Sequence, residues 1–133
     1  VYKELFAPAR EAGAIVYLHS DGHVLELMDE FAEAGIDVIN PQDLVNGVDE
    51  LARAAKGRFC IDLDIDRQRI VPFGTPAEIR EHVEHCIRTL GSPEGGLMLK
   101  VGIYPPTPLE NLEALLSAFE EFITFWRGEG GRS

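Results

Sequence analysis

The sequence predicts an α/β fold: four parallel βα units, forming either a small open sheet or half of a (β/α)8 barrel. Two observations carry this. Apolar, strand-length runs alternate four times with stretches of helical periodicity, the pattern of parallel strands joined by right-handed crossovers. One unit also repeats: Glu11-Ala12-Gly13 before Ile15-Val16 recurs as Glu33-Ala34-Gly35 before Ile36 and Val38, twenty-two residues later. Four strands are too few to close an eight-stranded barrel.

The elements follow in order. Residues 3–12 read as a short helix anchored by Leu5 and Phe6, with Gly13 at its C-terminal turn. Ala14 to His19 is the first strand, and its near-continuous apolar run suits burial on both faces. Val24, Leu27, Met28 and Phe31 stripe the next helix at i, i+3, i+4 and i+7, Gly35 ends it, and Ile36 to Asn40 is the second strand. Pro41 to Asn46 reads as loop. Val48, Leu51, Ala52 and Ala55 mark a helix closed at Gly57, and Arg58 to Asp64 is the third strand. Thr75-Pro76-Ala77-Glu78 carries an N-cap, a first-turn proline and the glutamate of a capping box, with Ile79, Val83, Cys86, Ile87 and Leu90 on the apolar face behind it. Gly95 to Val101 is the fourth strand. Thr107-Pro108-Leu109-Glu110 repeats the cap signature before a helix whose Leu109, Leu112, Leu115, Leu116, Phe119, Phe122, Ile123 and Trp126 fall on one face. Residues 1–126 thus read as one domain and 127–133 as a disordered tail.

Bulk properties narrow the function classes. Of the 133 residues, 45% are hydrophobic and 26% charged, enough for a real core. Twelve basic against twenty-three acidic side chains give a net charge of −11, which repels phosphate backbones and argues against nucleic acid. No apolar run approaches the ~20 residues of a membrane span. Val1-Tyr2-Lys3-Glu4 is not a signal peptide, and the absence of an initiator Met is consistent with processing or truncation. Cys60 and Cys86 match no CxxC spacing and suit reduced core thiols in a cytoplasmic protein.

Ligands of such folds bind at the carboxyl ends of the strands. Three of the four loops expected there are rich in polar groups: His19-Ser20-Asp21-Gly22-His23, Asn40-Pro41-Gln42-Asp43 and Asp64-Ile65-Asp66-Arg67-Gln68; the fourth is Gly102-Ile103-Tyr104-Pro105-Pro106. His19 and Asp21, at i and i+2, point the same way on an extended backbone and could hold zinc; alternatively Asp21 caps the next helix and His19 bonds within its loop. Asp62, Asp64 and Asp66 alternate with Ile61, Leu63 and Ile65, so the acids share one face unless Asp66 already lies in the solvated loop. Asp62 and Asp64 are the site candidates. His82 and His85, among glutamates off the apolar stripe, read as solvated.

The loop order His19-Ser20-Asp21-Gly22-His23-Val24, then Gly35-Ile36-Asp37-Val38-Ile39-Asn40-Pro41-Gln42, then Gly95-Gly96-Leu97-Met98-Leu99 leading to Thr107-Pro108-Leu109-Glu110-Asn111, resembles the uroporphyrinogen decarboxylase superfamily. The resemblance implies the C-terminal half of a (β/α)8 barrel. The His-bearing loop looks more like the methyltransferase branch, whose pattern is His-x-Cys with a distant third Cys. His19 matches the first ligand; Asp21 stands where the Cys would be, and no Cys follows Gly95-Gly96. What the resemblance implies is therefore a methyltransferase-type domain with a corrinoid protein, a thiol or another small molecule as substrate, zinc at His19 and Asp21, and a pocket lined by Asn40, Gln42, Asp62, Asp64 and Tyr104. The alternatives are a decarboxylase of a carboxylated tetrapyrrole, or a non-catalytic half-barrel. A half-barrel exposes two sheet edges, so a homodimer or association with a missing N-terminal half is expected.

Overall fold

The computed structural model describes residues 1–127. The tail expected at 127–133 falls, from residue 128 onward, outside the described residues. Helix α1 (Tyr2–Glu11) leads into β1 (Tyr17–His19); a 3-10 turn at Leu25–Leu27 runs into α2 (Met28–Ala34). Next come β2 (Val38–Asn40), α3 (Asp43–Asn46), α4 (Val48–Ala55), β3 (Cys60–Asp64), α5 (Ile70–Phe73), α6 (Pro76–Leu90), β4 (Leu97–Lys100) and α7 (Leu109–Phe122). All four strands are parallel and lie in the order β1-β2-β3-β4. An order without reversal, joined by right-handed crossovers, puts every crossover helix on the same face of the sheet. That is the winding of a barrel segment.

The register explains what each face does. Leu18, Ile39, Ile61 and Leu97 align across the sheet, with Leu63 beside Leu99, and all pack into or against the core under the helices. Tyr17, Val38 and Cys60 align on the other face, followed toward the strand ends by His19 beside Asn40 and by Asp62 beside Met98. This second face is open: Tyr17 is 46% exposed and Met98 44%. The strands are shorter than expected, and continuous burial on both faces, predicted for the first strand, is not found.

Helix α6 forms as its sequence dictates. The Thr75 hydroxyl accepts from the Glu78 amide, and the Glu78 carboxylate accepts from the Thr75 amide at 2.7 Å. The similar signature before α7 does not close. There the chain turns at Pro105–Pro106, and the Thr107 hydroxyl donates to the Tyr104 carbonyl at 2.7 Å instead, leaving Pro108 at the N-cap position. The α7 stripe is also narrower than expected. Leu115, Ala118 and Phe122 are buried, while Leu109, Leu116 and Ile123, each seven residues apart, form a separate exposed line. Eight apolar positions span too wide an arc for one neighbouring surface to cover. Leu5 likewise is exposed, and Phe6 alone of the α1 pair packs on the core. Two short helices are not among the expected elements: α3 occupies the stretch read as loop, and α5 a stretch to which the sequence assigns no element. α5 is anchored by buried Asn111, whose side-chain amide donates to the carbonyls of Val71 and Gly74, both at 2.9 Å.

Candidate functional site at the strand ends

The polar loops gather at the carboxyl ends of the strands and are tied to one another. Asn46, from α3, reaches back across the first loop: its Oδ1 accepts from the Val24 amide at 2.9 Å, and its Nδ2 donates to the carbonyls of Gly22 and Gln42. Asp21 caps no helix. The Ser20 hydroxyl takes the local turn role, accepting from the Gly22 amide at 3.1 Å, and Asp21 faces across the rim instead.

His19 ends β1 beside Asn40, which is fully buried at the end of β2. Asn40 donates its Nδ2 to the Asp62 carbonyl, and this fixes the amide so that its Oδ1 accepts from His19 Nδ1 at 2.7 Å. With Nδ1 so engaged, Nε2 is the nitrogen presented to the rim, 3.3 Å from Asp21 Oδ1. Asp21 also accepts from Gln42 Nε2 and lies 3.5 Å from the Arg67 guanidinium. Arg67 pairs in turn with Asp64 Oδ2 at 3.1 Å and stacks over the Tyr104 ring. The structure thus brings His19, Asn40, Asp21, Gln42, Asp64, Arg67 and Tyr104 into one connected group. Asp62 extends it along the open face, where the Tyr17 hydroxyl donates to its carboxylate at 2.7 Å.

Two carboxyls on β3 live in different environments. Asp64 is 3% exposed, and burial pushes its carboxyl above the ordinary range, with the charges of Arg67 and Lys100 opposing that rise. Its Oδ1 has no partner among the described residues. On the open face, burial and the acceptor carboxylate of Asp62 push the Tyr17 phenol up to about 12, and burial raises the half-buried Cys60 thiol.

Two expectations are corrected here. Asp66 is not in a solvated loop: it is buried, and its carboxylate accepts the amides of Gln68 and Arg69 at 2.9 and 2.8 Å and that of Ile70 at 3.3 Å. His82 is not solvated either. Its Nε2 lies 2.6 Å from Oδ2 of buried Asp43, which also accepts the Asp66 amide at 3.0 Å. Beyond the place of Asp43 in the Asn40-Pro41-Gln42-Asp43 loop, no local pattern marks its role, because its partners come from 23 and 39 residues away. His85 is exposed, as expected, and Cys86 is core.

A zinc ion asks for about four donors in a tetrahedron. His19 and Asp21 supply two, and Asp21 is already engaged by Gln42 and Arg67. Among the described residues, no further His, Cys, Asp or Glu joins them within 4.8 Å. The rim alone does not make a zinc site.

No helix among the described residues is long and apolar enough to cross a membrane. The model of the uroporphyrinogen decarboxylase (URO-D) family matches residues 1–122. The uroporphyrinogen decarboxylase of Synechococcus sp. (strain CC9605) is 31% identical over 104 residues, covering 78% of this chain and 28% of that protein. A methyltransferase from Methanosarcina mazei has a similar structure, with a TM-score of 0.65 and 21% identity over 92% of this chain and 36% of that one. At that identity the likeness speaks for the fold, four βα units of a (β/α)8 barrel. The chain therefore spans only about a third of each of these relatives, and it belongs to the URO-D family.

Proposed function

We propose that this URO-D domain supplies one part of a methyltransferase-type catalytic unit acting on a corrinoid protein or a thiol. The observation that carries the reading is the charge of the rim. Asp21, Asp62 and Asp64 face it, and the nearest guanidinium, Arg67, is committed to Asp21 and Asp64. A polycarboxylated tetrapyrrole asks for several uncommitted cations, whereas these three carboxylates outnumber Lys100, which lies beside Asp64 at the end of β4. In the proposed role Asn40 orients His19 so that Nε2 meets the substrate, while Asp64 and Arg67 set the charge beneath it. Zinc at His19 and Asp21 would require further donors from outside the described residues.

The unit is proposed to be completed by further βα units N-terminal to these or by a second copy. The open sheet face and the exposed Leu109, Leu116 and Ile123 line support association. Methylcobalamin and uroporphyrin III, titrated separately into the purified protein, separate the two enzymatic readings. A change in the corrinoid spectrum with no porphyrin fluorescence quenching supports the methyltransferase type. Quenching with a silent corrinoid favours the decarboxylase reading and overturns ours. Light scattering tests association, and a stable monomer at micromolar concentration removes it.

A further inference from the structure

Behind the rim, away from His19 and Asp21, three side chains of different chemistry converge. Asp43 opens α3; His82 and Cys86 stand at i and i+4 on α6 and so share a helix face. Their ligating atoms all lie within 4.8 Å of one another. Cys86 Sγ is 3.7 Å from His82 Nε2, near the roughly 3.5 Å that separates two donors on a tetrahedral zinc. Asp43 Oδ2 is hydrogen-bonded to the same nitrogen at 2.6 Å, closer than two donors sit on one tetrahedral ion, so a bound ion would replace this bond. A carboxylate and a thiol aimed at one imidazole nitrogen cannot both be served by the single proton or lone pair it carries.

A second, independent observation points the same way. The Asp43 side chain is 1% exposed, its Oδ2 is used by His82 and the Asp66 amide, and its Oδ1 has no partner among the described residues. A buried carboxylate oxygen without a donor calls for a cation, a proton or a water. The company it keeps, one imidazole nitrogen and one sulfur, selects a borderline-to-soft divalent ion over magnesium or calcium.

We propose that Asp43, His82 and Cys86 form a structural site for a zinc-class divalent cation, distinct from the rim pair His19 and Asp21. Cys86 and His82 bind through Sγ and Nε2 and Asp43 through its carboxylate, three of the four ligands of a tetrahedral site. Binding releases the Cys86 thiol proton and ties α6 to α3. Because Asp43 also holds the Asp66 amide, the ion braces the loop that carries Arg67. This proposal is independent of the reaction assigned to the domain.

The test uses the protein purified with added zinc, then stripped and reloaded with cobalt(II). The expected result is one metal per chain, a rise in Tm on adding zinc to the stripped protein, and a thiolate-to-cobalt charge-transfer band. The band should persist in Cys60→Ser, vanish in Cys86→Ser, and metal content should fall to background in His82→Gln and stay unchanged in His19→Ala. The wild-type measurements decide the matter if a variant does not fold. Wild-type protein that takes up no metal, or cobalt-loaded protein without the thiolate band, overturns the proposal; so does metal that leaves with His19→Ala and stays in His82→Gln.

Discussion

Replacing Arg67 with alanine tests how the rim holds a buried charge. Asp64 is 3% exposed and its Oδ2 lies 3.1 Å from the guanidinium. At an effective dielectric of ~20 that pair is worth about 5 kcal/mol, less what the part-exposed Arg67 loses to solvent screening. An escape caps the loss, because an unpaired Asp64 can protonate. From an ordinary carboxyl pKa near 4, protonation costs about 4 kcal/mol at pH 7 and about 1.4 at pH 5. Lys100, the other opposing cation, reduces the penalty further. The expected loss for Arg67→Ala is therefore about 3 kcal/mol at pH 7, within the range for orphaning one partner of a buried pair. The sign of the pH dependence follows from the direction of the shift. The folded-state pKa of Asp64 is raised above its unfolded value, so the protonated form favours the fold. That contribution is fully present below the unfolded pKa and is lost as pH rises through the folded one. The deficit of Arg67→Ala should thus shrink to about 1.5 kcal/mol at pH 5, and Arg67→Ala/Asp64→Asn should recover most of the stability at pH 7. Urea unfolding followed by circular dichroism, with unchanged slope, measures each value. A pH-independent deficit, or a double variant no better than the single, refutes the reasoning.

Three further outcomes are expected. Thr75→Ala should cost about 1 kcal/mol in thermal unfolding, and Thr107→Ala distinctly less, because only Thr75 closes a capping box; equal losses contradict the assignment of caps. Asn111→Ala leaves two carbonyls without a donor and should cost about 2 kcal/mol in urea, with a change under about 0.5 counting against the anchoring of α5. In an ultraviolet titration Tyr17 should ionise near 12, and Asp62→Asn should lower that value by removing the carboxylate charge; no movement in the variant would mean the hydroxyl is not engaged by Asp62.

The sequence displays whatever is decided locally and hides what depends on a distant partner. The four strands and their carboxyl-end loops are legible because burial selects apolar runs and glycine marks the turns, as at Gly35, whose positive φ of 77° ends α2. The Thr75 box is legible because both of its bonds span three residues. Thr107 has the same letters, but a turn carbonyl at Tyr104 competes for its hydroxyl. In the site, the placement of His19, Asn40 and Asp64 at strand ends follows from the run of residues, whereas the hold of Asp43 on His82 joins α3 to α6 and leaves no local trace. His82 reads as lying off the apolar stripe, yet it stands three residues after Ile79 and four before Cys86, on the flank of that stripe, and tertiary packing adds Asp43 as its partner. The surplus leucines of α7 misled for a related reason, since a composition-rich helix does not say which of its sides meets a neighbour.

The Asp66 carboxylate gathers three consecutive amides while its own amide is held by Asp43. The backbone from Asp66 to Ile70 therefore gives up its conformational freedom when the chain folds, not when a ligand arrives. Arg67 rides on that segment, so its guanidinium meets an incoming molecule already aimed. If the rim binds substrate as proposed, a rearrangement that admits it falls to the other side, at Ser20 to His23 or at the Tyr104 turn, and a ligand that needs Arg67 to swing away has to unpick this knot of amides first.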